Sequence, residues 1–219
     1  MIGALSFAPY LASAEVRIKD IANFEGVREN HLIGYGLVVG LLGSGDKLNS
    51  SPFTRESIRG MLERLGVANL EGSDLKTKNT AAVMVTAKLP PFARRGSPID
   101  ITVSSLGDAT SLRGGTLLVT PLTGADGAVY AVAQGAVATS GYRVDGNAAS
   151  VVEGVPTIAK IENGAIVEQE IDFNLFQLDS IRIALRDPDF TTADRMREAI
   201  VAKLGPQSAE VLDSGTVEV

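Results

Sequence analysis

Hydrophobic residues follow two different spacings along the chain, and each spacing predicts one kind of secondary structure. In PIDITVSSLG, Ile99, Ile101 and Val103 alternate with polar residues, which is typical of a strand with one buried face. Apolar runs rich in branched residues predict further strands, bounded by turn-forming residues. These are LIGYGLVVGLL (32–42), TAAVMVTAKL (80–89), TLLVTPL (116–122) and AVYAVAQGAV (128–137), with shorter ones at 16–19, within 179–190 and at 214–219.

Two segments repeat their apolar residues at i, i+3, i+4 and i+7, which predicts amphipathic helices. FTRESIRGMLERLG (53–66) has Thr54 as N-cap and Gly66 as C-cap, and TTADRMREAIVAKLG (191–205) is capped by Thr191. The apolar faces consist of Ile58, Met61, Leu62 and Leu65 in the first helix, and of Met196, Ala199, Ile200 and Leu204 in the second.

The order of these elements predicts an α+β fold with mixed, mainly antiparallel sheets and two amphipathic helices. VPTIAKIENGAIVEQEI (155–171) predicts a hairpin that turns at Glu162-Asn163-Gly164, since Asn-Gly favours tight turns. The polar, Gly-rich stretch 138–150 predicts an exposed loop or a domain boundary. We therefore expect an α+β domain over residues 15–140 and a second α+β unit over 141–219, whose final strand enters a sheet with its partner beyond the sequence.

The first 14 residues, MIGALSFAPYLASA, are apolar and end in small residues. Ala12-Ser13-Ala14 has the A-x-A form of a signal-peptidase site, which predicts cleavage between Ala14 and Glu15. Because no Lys or Arg precedes the apolar part, we expect the start of this signal to be clipped or misassigned; a buried N-terminal segment is the alternative. No later stretch reaches the roughly 18 apolar residues of a membrane span, so we expect an exported protein.

Composition excludes most catalytic chemistry. The 219 residues contain no Cys and a single His, which excludes thiolate nucleophiles and metal sites built from Cys or several His. His31 lies in a polar loop, and nothing brings Asp46, Asp100 and Asp108 together as an acid–base pair. The formal net charge of −6 argues against nucleic-acid binding. We expect no enzyme, no cofactor, no metal and no small-molecule substrate.

The stretch LIGYGLVVGLLGSGDK (32–47) is dense in glycine and ends on a lysine, as phosphate loops do. However, Asp46 intervenes before Lys47, and Leu48 stands where a hydroxyl would bind magnesium. A carboxylate beside a triphosphate is also repulsive. A dinucleotide-binding loop is disfavoured too, since polar residues precede the glycines where a buried strand is required.

The glycines of this stretch have a second interpretation. Gly34, Gly36 and Gly40 share the parity of one strand face, and a face without side chains permits close approach of another backbone or of a bulky partner. We therefore expect these three glycines to serve close packing within an assembly of copies.

A local run of positive charge stands out in this acidic chain. Residues 76–99 contain five basic residues and no acidic one: Lys76, Lys78, Lys88, Arg94 and Arg95; Arg113 follows in SLRGGT. Two interpretations stay open from the residues alone. The run is an ordinary solvated edge, or it docks an acidic partner such as an acidic protein or the anionic cell-wall polymer.

Three long strings resemble a known family: GVRENHLIGYGLVVGLLGSGD (26–46), KNTAAVMVTAKLPPFARRGSPIDITVSSLGDATSLRGGTLLVTPL (78–122) and VYAVAQG (129–135). Together they resemble the bacterial flagellar P-ring proteins. The resemblance implies a structural protein of the Gram-negative periplasm, exported with a cleaved signal. Copies would assemble into a ring around the rod of the flagellar basal body, at the peptidoglycan layer. With the L-ring protein this ring would form a bushing for the rotating rod, and a periplasmic chaperone would assist assembly.

The resemblance also implies that family members are longer than this chain and that basic residues face an acidic rod. Lys78 falls on a basic position of the family motif, whereas Thr110 stands where a lysine can occur. We expect the rod-facing basic residues among Lys78, Arg94, Arg95 and Arg113. A periplasmic cell-wall-binding or chaperone-like module that forms no ring is the alternative function.

Overall fold

The structure is a computed structural model, and it describes residues 16–49, 51–64, 66, 78–139, 142–145, 150–153, 155–171 and 178–219. The chain divides into two compact units. The larger consists of Arg28–Asp172, and the smaller combines Met1–Val27 with Phe173–Val219. Within the described residues, no helix has the length and apolar character needed to cross a membrane.

The secondary structure of the described residues comprises three helices and thirteen strands, numbered in chain order. The helices are α1 (Ile18–Ile21), α2 (Pro52–Arg64) and α3 (Phe190–Leu204). The larger unit contains β2 (Asn30–Val39), β3 (Thr80–Leu89), β4 (Pro98–Ser105), β5 (Thr116–Thr123), β6 (Val129–Ala136), β7 (Ala138–Thr139), β8 (Tyr142–Asp145), β9 (Ser150–Glu153) and β10 (Ile158–Val167). The smaller unit contains β1 (Ala22–Phe24), β11 (Arg182–Leu185), β12 (Glu210–Val211) and β13 (Thr216–Glu218). The predicted α+β class with antiparallel sheets is confirmed.

The larger unit is built around an antiparallel sheet that closes on itself. Its strand order is β4-β3-β2-β5-β6-β10-β7, and β10 pairs with β4 as well as with β6. Six strands therefore surround an interior that side chains fill. The alternation predicted in β4 is confirmed, because Ile99, Ile101 and Val103 are buried in this core.

The strand β10 corrects one turn prediction. Residues 155–171 do not form a hairpin, because β10 continues through the Asn-Gly pair and its register on β4 shifts there. Asn163 has a φ of 52°, and its N–H donates to Asp100 Oδ1 at 3.0 Å. The residue pair that favours a turn thus forms a bulge, because pairing with β4 and β6 uses both halves of the segment.

The helix α2 packs on the outside of the closed sheet. It begins at Pro52, whose missing N–H is harmless in the first turn, so the predicted N-cap Thr54 is wrong. Ile58 is buried in a cluster with β2 and β3, and Met61 and Leu62 pack against it. The predicted apolar face is confirmed for these residues, and Leu65 lies outside the described residues.

The smaller unit is a sheet of order β1-β11-β13-β12 covered by α3. Asp189 caps α3, since its carboxylate accepts the Thr192 N–H at 2.7 Å; the predicted cap Thr191 is wrong. Of the predicted apolar face, Met196 and Ile200 are buried together with Ala193. The remaining two residues of the predicted face, Ala199 and Leu204, are exposed because the contact with this short-stranded sheet is narrow.

Three further predictions differ from the structure. Residues 18–21 form α1 and not a strand, with Arg17 and Asp20 paired at 2.9 Å across one turn. The predicted loop 138–150 contains β7, β8 and the start of β9, because β8 and β9 pair with each other. The final strand β13 lies between β11 and β12, so its partners are within the chain.

The predicted domain boundary at residue 140 also differs from the two units. The strand β10 lies beyond this boundary, yet it completes the closed sheet of the larger unit. In the smaller unit, β1 near the N-terminus pairs with β11 near the C-terminus. Both units therefore depend on pairings between distant segments, which local composition does not reveal.

Candidate functional site

The connections at one end of the closed sheet form an ordered cluster, which we call the loop end: residues 40–48, 78–79 and 106–115. These segments follow β2 and β4 and precede β3 and β5. Backbone hydrogen bonds join them; the Gly45 N–H, for example, donates to the Lys78 carbonyl at 2.6 Å. The loop end is therefore one braced surface and not a set of independent loops.

Asp46 lies at the centre of the loop end and is fully buried. Its Oδ2 accepts hydrogen bonds from the Thr54 hydroxyl at 2.6 Å and from the Ala82 N–H at 2.8 Å. Its Oδ1 accepts the Ala109 N–H at 2.8 Å. A single carboxylate thereby ties the loop after β2 to α2, to β3 and to the loop after β4.

Two glycines permit the close packing around this carboxylate. A Cβ on Gly107 would collide with the Asp46 side chain, and a Cβ on Gly45 would lie 2.5 Å from the Lys78 and Thr80 carbonyls. The glycine-rich stretch therefore supplies a carboxylate that accepts N–H groups from β3 and from the loop after β4, whereas a phosphate loop would direct its own N–H groups to an anion. This geometry supports the sequence-based rejection of a phosphate loop.

The other two acids considered for catalysis have separate structural partners. Asp108 accepts the Lys47 N–H at 2.8 Å and the Ser51 hydroxyl at 3.1 Å, both near the start of α2. Asp100 lies near the opposite end of β4, where the Asn163 N–H and then the Lys160 side chain lower its pKa. The structure does not gather the three acids into one acid–base site.

Gly34 and Gly36 pack closely, but inside the subunit. A Cβ on Gly34 would lie 2.5 Å from the Pro121 carbonyl oxygen on β5, and one on Gly36 would collide with the Thr120 hydroxyl. Gly40 differs, because it follows β2 with a φ of 82° and nothing lies near its missing side chain. Within the subunit Gly40 permits a turn and packs against no described residue, and its predicted packing between copies stays a prediction.

The predicted basic residues lie at two opposite ends of the closed sheet. Lys78 and Arg113 are exposed at the loop end, and neither has an ion-pair partner among the described residues. Thr110 lies beside them and donates its N–H to the Ser44 carbonyl at 2.8 Å. The loop end therefore carries two cations whose charge is not neutralised by a described neighbour.

Arg94 and Arg95 lie beyond the other end of β3. The ten residues of this strand, when fully extended, separate them from Lys78 by about 30 Å. Arg94 pairs with Glu170 at 2.8 Å, and Arg95 approaches Glu168 at 3.7 Å. The Arg95 N–H, and then the Arg94 guanidinium, lower the pKa of Glu170. The sequence analysis missed these two ion pairs, because the acidic partners lie more than 70 positions away in sequence.

His31 is exposed on β2, so the predicted polar loop at this position is wrong. No group of three or more His, Asp or Glu able to hold a metal occurs within the described ranges. Ala14 and Glu15, the predicted cleavage site, lie outside the residues that the structure describes, as does Lys76.

Sequence comparison relates this chain to one protein family. The profile of the flagellar P-ring protein family matches residues 17–219. A flagellar P-ring protein from a Bradyrhizobium species is 58% identical over 218 residues, and one from Rhodospirillum rubrum is 62% identical over 212 residues. These alignments cover 100% and 97% of this chain, but only 58% and 56% of the two relatives. A family match from residue 17 to the last residue, with identities near 60%, confirms the resemblance: this chain belongs to the flagellar P-ring protein family.

Proposed function

We propose that this chain is part of a structural subunit of the flagellar basal-body P ring. Copies assemble around the rod in the periplasm at the peptidoglycan layer, and with the L ring they act as a bushing that supports and protects the rotating rod. The observation that carries this proposal is the family match over residues 17–219. The role is mechanical, and the protein has no substrate to transform.

The larger unit has the construction that a bushing needs. Its sheet has no open edge between β4 and β10, and Asp46 ties the loop end to that sheet. A surface fixed in this way keeps its shape beside a moving partner. This rigidity supports a mechanical role for the larger unit.

The loop end supplies the surface that faces the acidic rod. Lys78 and Arg113 are exposed there without a described ion-pair partner, so their fields reach outward. A pair of opposite charges in water is worth only about 1 kcal/mol at close range, which holds a rod centred without locking it. Arg94 and Arg95 are left out of this surface, because acidic neighbours pair with them at the other end.

The proposal includes the export of the protein and its assembly partners. Residues 1–14 serve as the signal, removed between Ala14 and Glu15, and a periplasmic chaperone, the L-ring protein and peptidoglycan are the other partners. N-terminal sequencing of the mature full-length protein from the periplasm tests the cleavage. A mature protein beginning at Glu15 agrees with it, and a retained Met1 contradicts it.

Deletion of the full-length gene tests the function itself. Basal bodies purified from the deletion strain should lack the ring at the peptidoglycan layer under the electron microscope, and the strain should not swim. Complementation with the wild-type gene should restore both. A complete ring in the deletion strain would contradict the proposal and favour a cell-wall-binding or chaperone-like role without a ring.

A further inference from the structure

One flank of the closed sheet is free of charged residues. The strands β2, β5 and β6 are neighbours in the sheet order, and their ten, eight and eight residues include no Lys, Arg, Asp or Glu. Charged residues make up 21% of the whole chain, and each of the other long strands, β3, β4 and β10, has at least one. The outer faces of β2, β5 and β6, which we call the uncharged flank, therefore lack the charges expected of a sheet face in water.

The uncharged flank exposes apolar side chains. Alternation along β2 places Leu32 in the core and leaves Ile33 and Tyr35 outside, where each is nearly half exposed. On β5, Val119 is 68% exposed, and Pro121 is exposed as well. Tyr35, Val119 and Pro121 lie close together, since they line one groove. Exposed apolar patches of this kind mark sites of contact with other proteins.

The groove lies between α2 and the uncharged flank and has a volume of about 490 Å³. Gly60 and Met61 belong to its wall on the helix, and Tyr35 to its wall on the sheet. The hydroxyl groups of Tyr35 and Ser57 hydrogen-bond at 2.8 Å, which holds the two walls together. Gly60 keeps the helix wall low, since a Cβ there would meet no atom within 4 Å. The groove is therefore already formed and open within a single subunit.

The chemistry of the groove fits an uncharged protein surface. Glu56 is the charged residue among its described lining, and Glu56 pairs with Arg59 at 4.0 Å. The rest of that lining consists of apolar, glycine and hydroxyl-bearing residues. The cores of protein interfaces are depleted in charged residues and enriched in aromatic residues and Met, as Tyr35 and Met61 are here. A strongly acidic or basic ligand would find no matching charge in the groove.

The charge of the chain favours a second copy as the occupant. Each copy carries a formal net charge of −6, so two copies repel each other overall. Like charges placed opposite each other in an interface weaken it. A contact through the uncharged flank avoids this cost on one side. An acidic rod, by contrast, is better matched by the exposed cations Lys78 and Arg113 of the loop end.

The position of the uncharged flank also suits a ring. In the proposed ring the loop end faces the rod, so the strands of the closed sheet point toward the rod. Neighbouring copies then lie beside the closed sheet and not at its ends. The groove is on such a side, because Tyr35 and Val119 lie within β2 and β5 and not in the connections between strands.

We propose that the uncharged flank, with its groove beside α2, receives the neighbouring copy in the ring. The contact is heterologous: the flank of one subunit meets a different surface of the next, as closure of a ring of identical chains requires. This inference rests on the proposed ring function and names the surface through which the copies join.

Photo-crosslinking in the full-length protein tests the contact. With benzoylphenylalanine in place of Val119, illumination of purified basal bodies should give a ladder of linked subunits, joined to a surface outside the groove of the second copy. The matched control replaces Ala125, which is exposed in the turn between β5 and β6 at the end away from the loop end. Its yield of linked subunits should be at least fivefold lower. An equal ladder from the control would overturn the proposal, as would linkage of residue 119 to another protein, to the second copy's groove, or only within its own chain.

A substitution in the groove separates assembly from folding. Gly60→Arg fills the groove from the helix side, and Arg favours a helix more than Gly does. The melting temperature of the purified full-length protein should therefore stay unchanged or rise, whereas the yield of complete rings should fall at least tenfold. Glu63→Arg is the matched control, because Glu63 is exposed on α2 outside the groove lining, and its ring yield should stay at the wild-type level.

The other outcomes of this experiment are equally decisive. Unchanged ring yield in Gly60→Arg, or an equal loss in Glu63→Arg, would overturn the proposal. A lower melting temperature of Gly60→Arg would show that the groove is closed within the subunit and would overturn it too. Wild-type rings without the cross-link from residue 119 would remove this inference alone, whereas absence of wild-type rings would remove the proposed function.

Discussion

The buried carboxylate of Asp46 gives the sharpest prediction for the fold. In Asp46→Ala, the Thr54 hydroxyl and the Ala82 and Ala109 N–H groups lose their acceptor in a buried site. A buried donor without a partner costs roughly 1–3 kcal/mol. Three such donors would together cost about 3–9 kcal/mol of stability. A water molecule that enters the vacated space can bind some of these donors, which lowers the cost.

We therefore expect Asp46→Ala to lower the free energy of unfolding by about 3–5 kcal/mol. Asp46→Asn keeps the shape, and its amide oxygen can replace Oδ2 for two donors while its NH₂ group faces the Ala109 N–H. One lost partner predicts an intermediate cost of about 1–3 kcal/mol. Urea unfolding of the full-length protein measures both values, and amide hydrogen exchange at Ala82 and Ala109 localises the effect.

The matched control is Asp126→Ala. Asp126 is an exposed acid that accepts the Tyr130 hydroxyl at 2.7 Å and the Ala128 N–H at 3.1 Å, so it makes similar bonds in water. Its loss should matter much less, because solvent replaces the carboxylate. If Asp46→Ala unfolds at the wild-type urea concentration and the two amides keep their protection, the assigned role of Asp46 is refuted.

Three other predictions follow from the same structure. Gly36→Val should lower the melting temperature of the isolated subunit, because the new side chain collides with Thr120. Gly60→Ala in α2 is the matched control: its new methyl group meets open space, and the change should stabilise the helix by up to about 1 kcal/mol. The pKa of Glu170 is lowered in the folded protein, so its ionised form stabilises the fold above pH 4.5. The difference in unfolding free energy between the wild type and Glu170→Gln should therefore vanish as the pH falls through the lowered pKa. A difference that grows on acidification would contradict this. Lys78→Asp in the full-length protein should reduce swimming, whereas an unchanged swimming speed would count against the rod-facing surface.

Local patterns predicted the elements in which the apolar face of a single segment determines its structure. The alternation of Ile99, Ile101 and Val103 matches β4, because one side of every strand in a closed sheet faces the core. The helical spacing around Ile58 likewise matches α2. The Asn-Gly signal at residues 163–164 failed, because the turn preference of two residues is weaker than ladders with β4 and β6 on either side.

The site was harder to predict, because its geometry depends on distant residues. The sequence placed Gly36 on a small-residue face, but its neighbour proved to be β5 of the same subunit and not another copy. The sequence grouped Lys78 with Arg94, although β3 separates them. Nothing in the sequence indicated that Asp46 braces the loop end, because its three buried donors come from segments up to 63 positions away.

The central claim is that this chain forms the P ring with its loop end toward the rod. Cryo-electron microscopy of basal bodies purified with the full-length protein tests it most directly. The account predicts that the closed sheet fits the ring density at the peptidoglycan layer, with Lys78 and Arg113 on the inner surface nearest the rod. A ring density that does not fit the closed sheet, or a loop end that faces away from the rod, would contradict it.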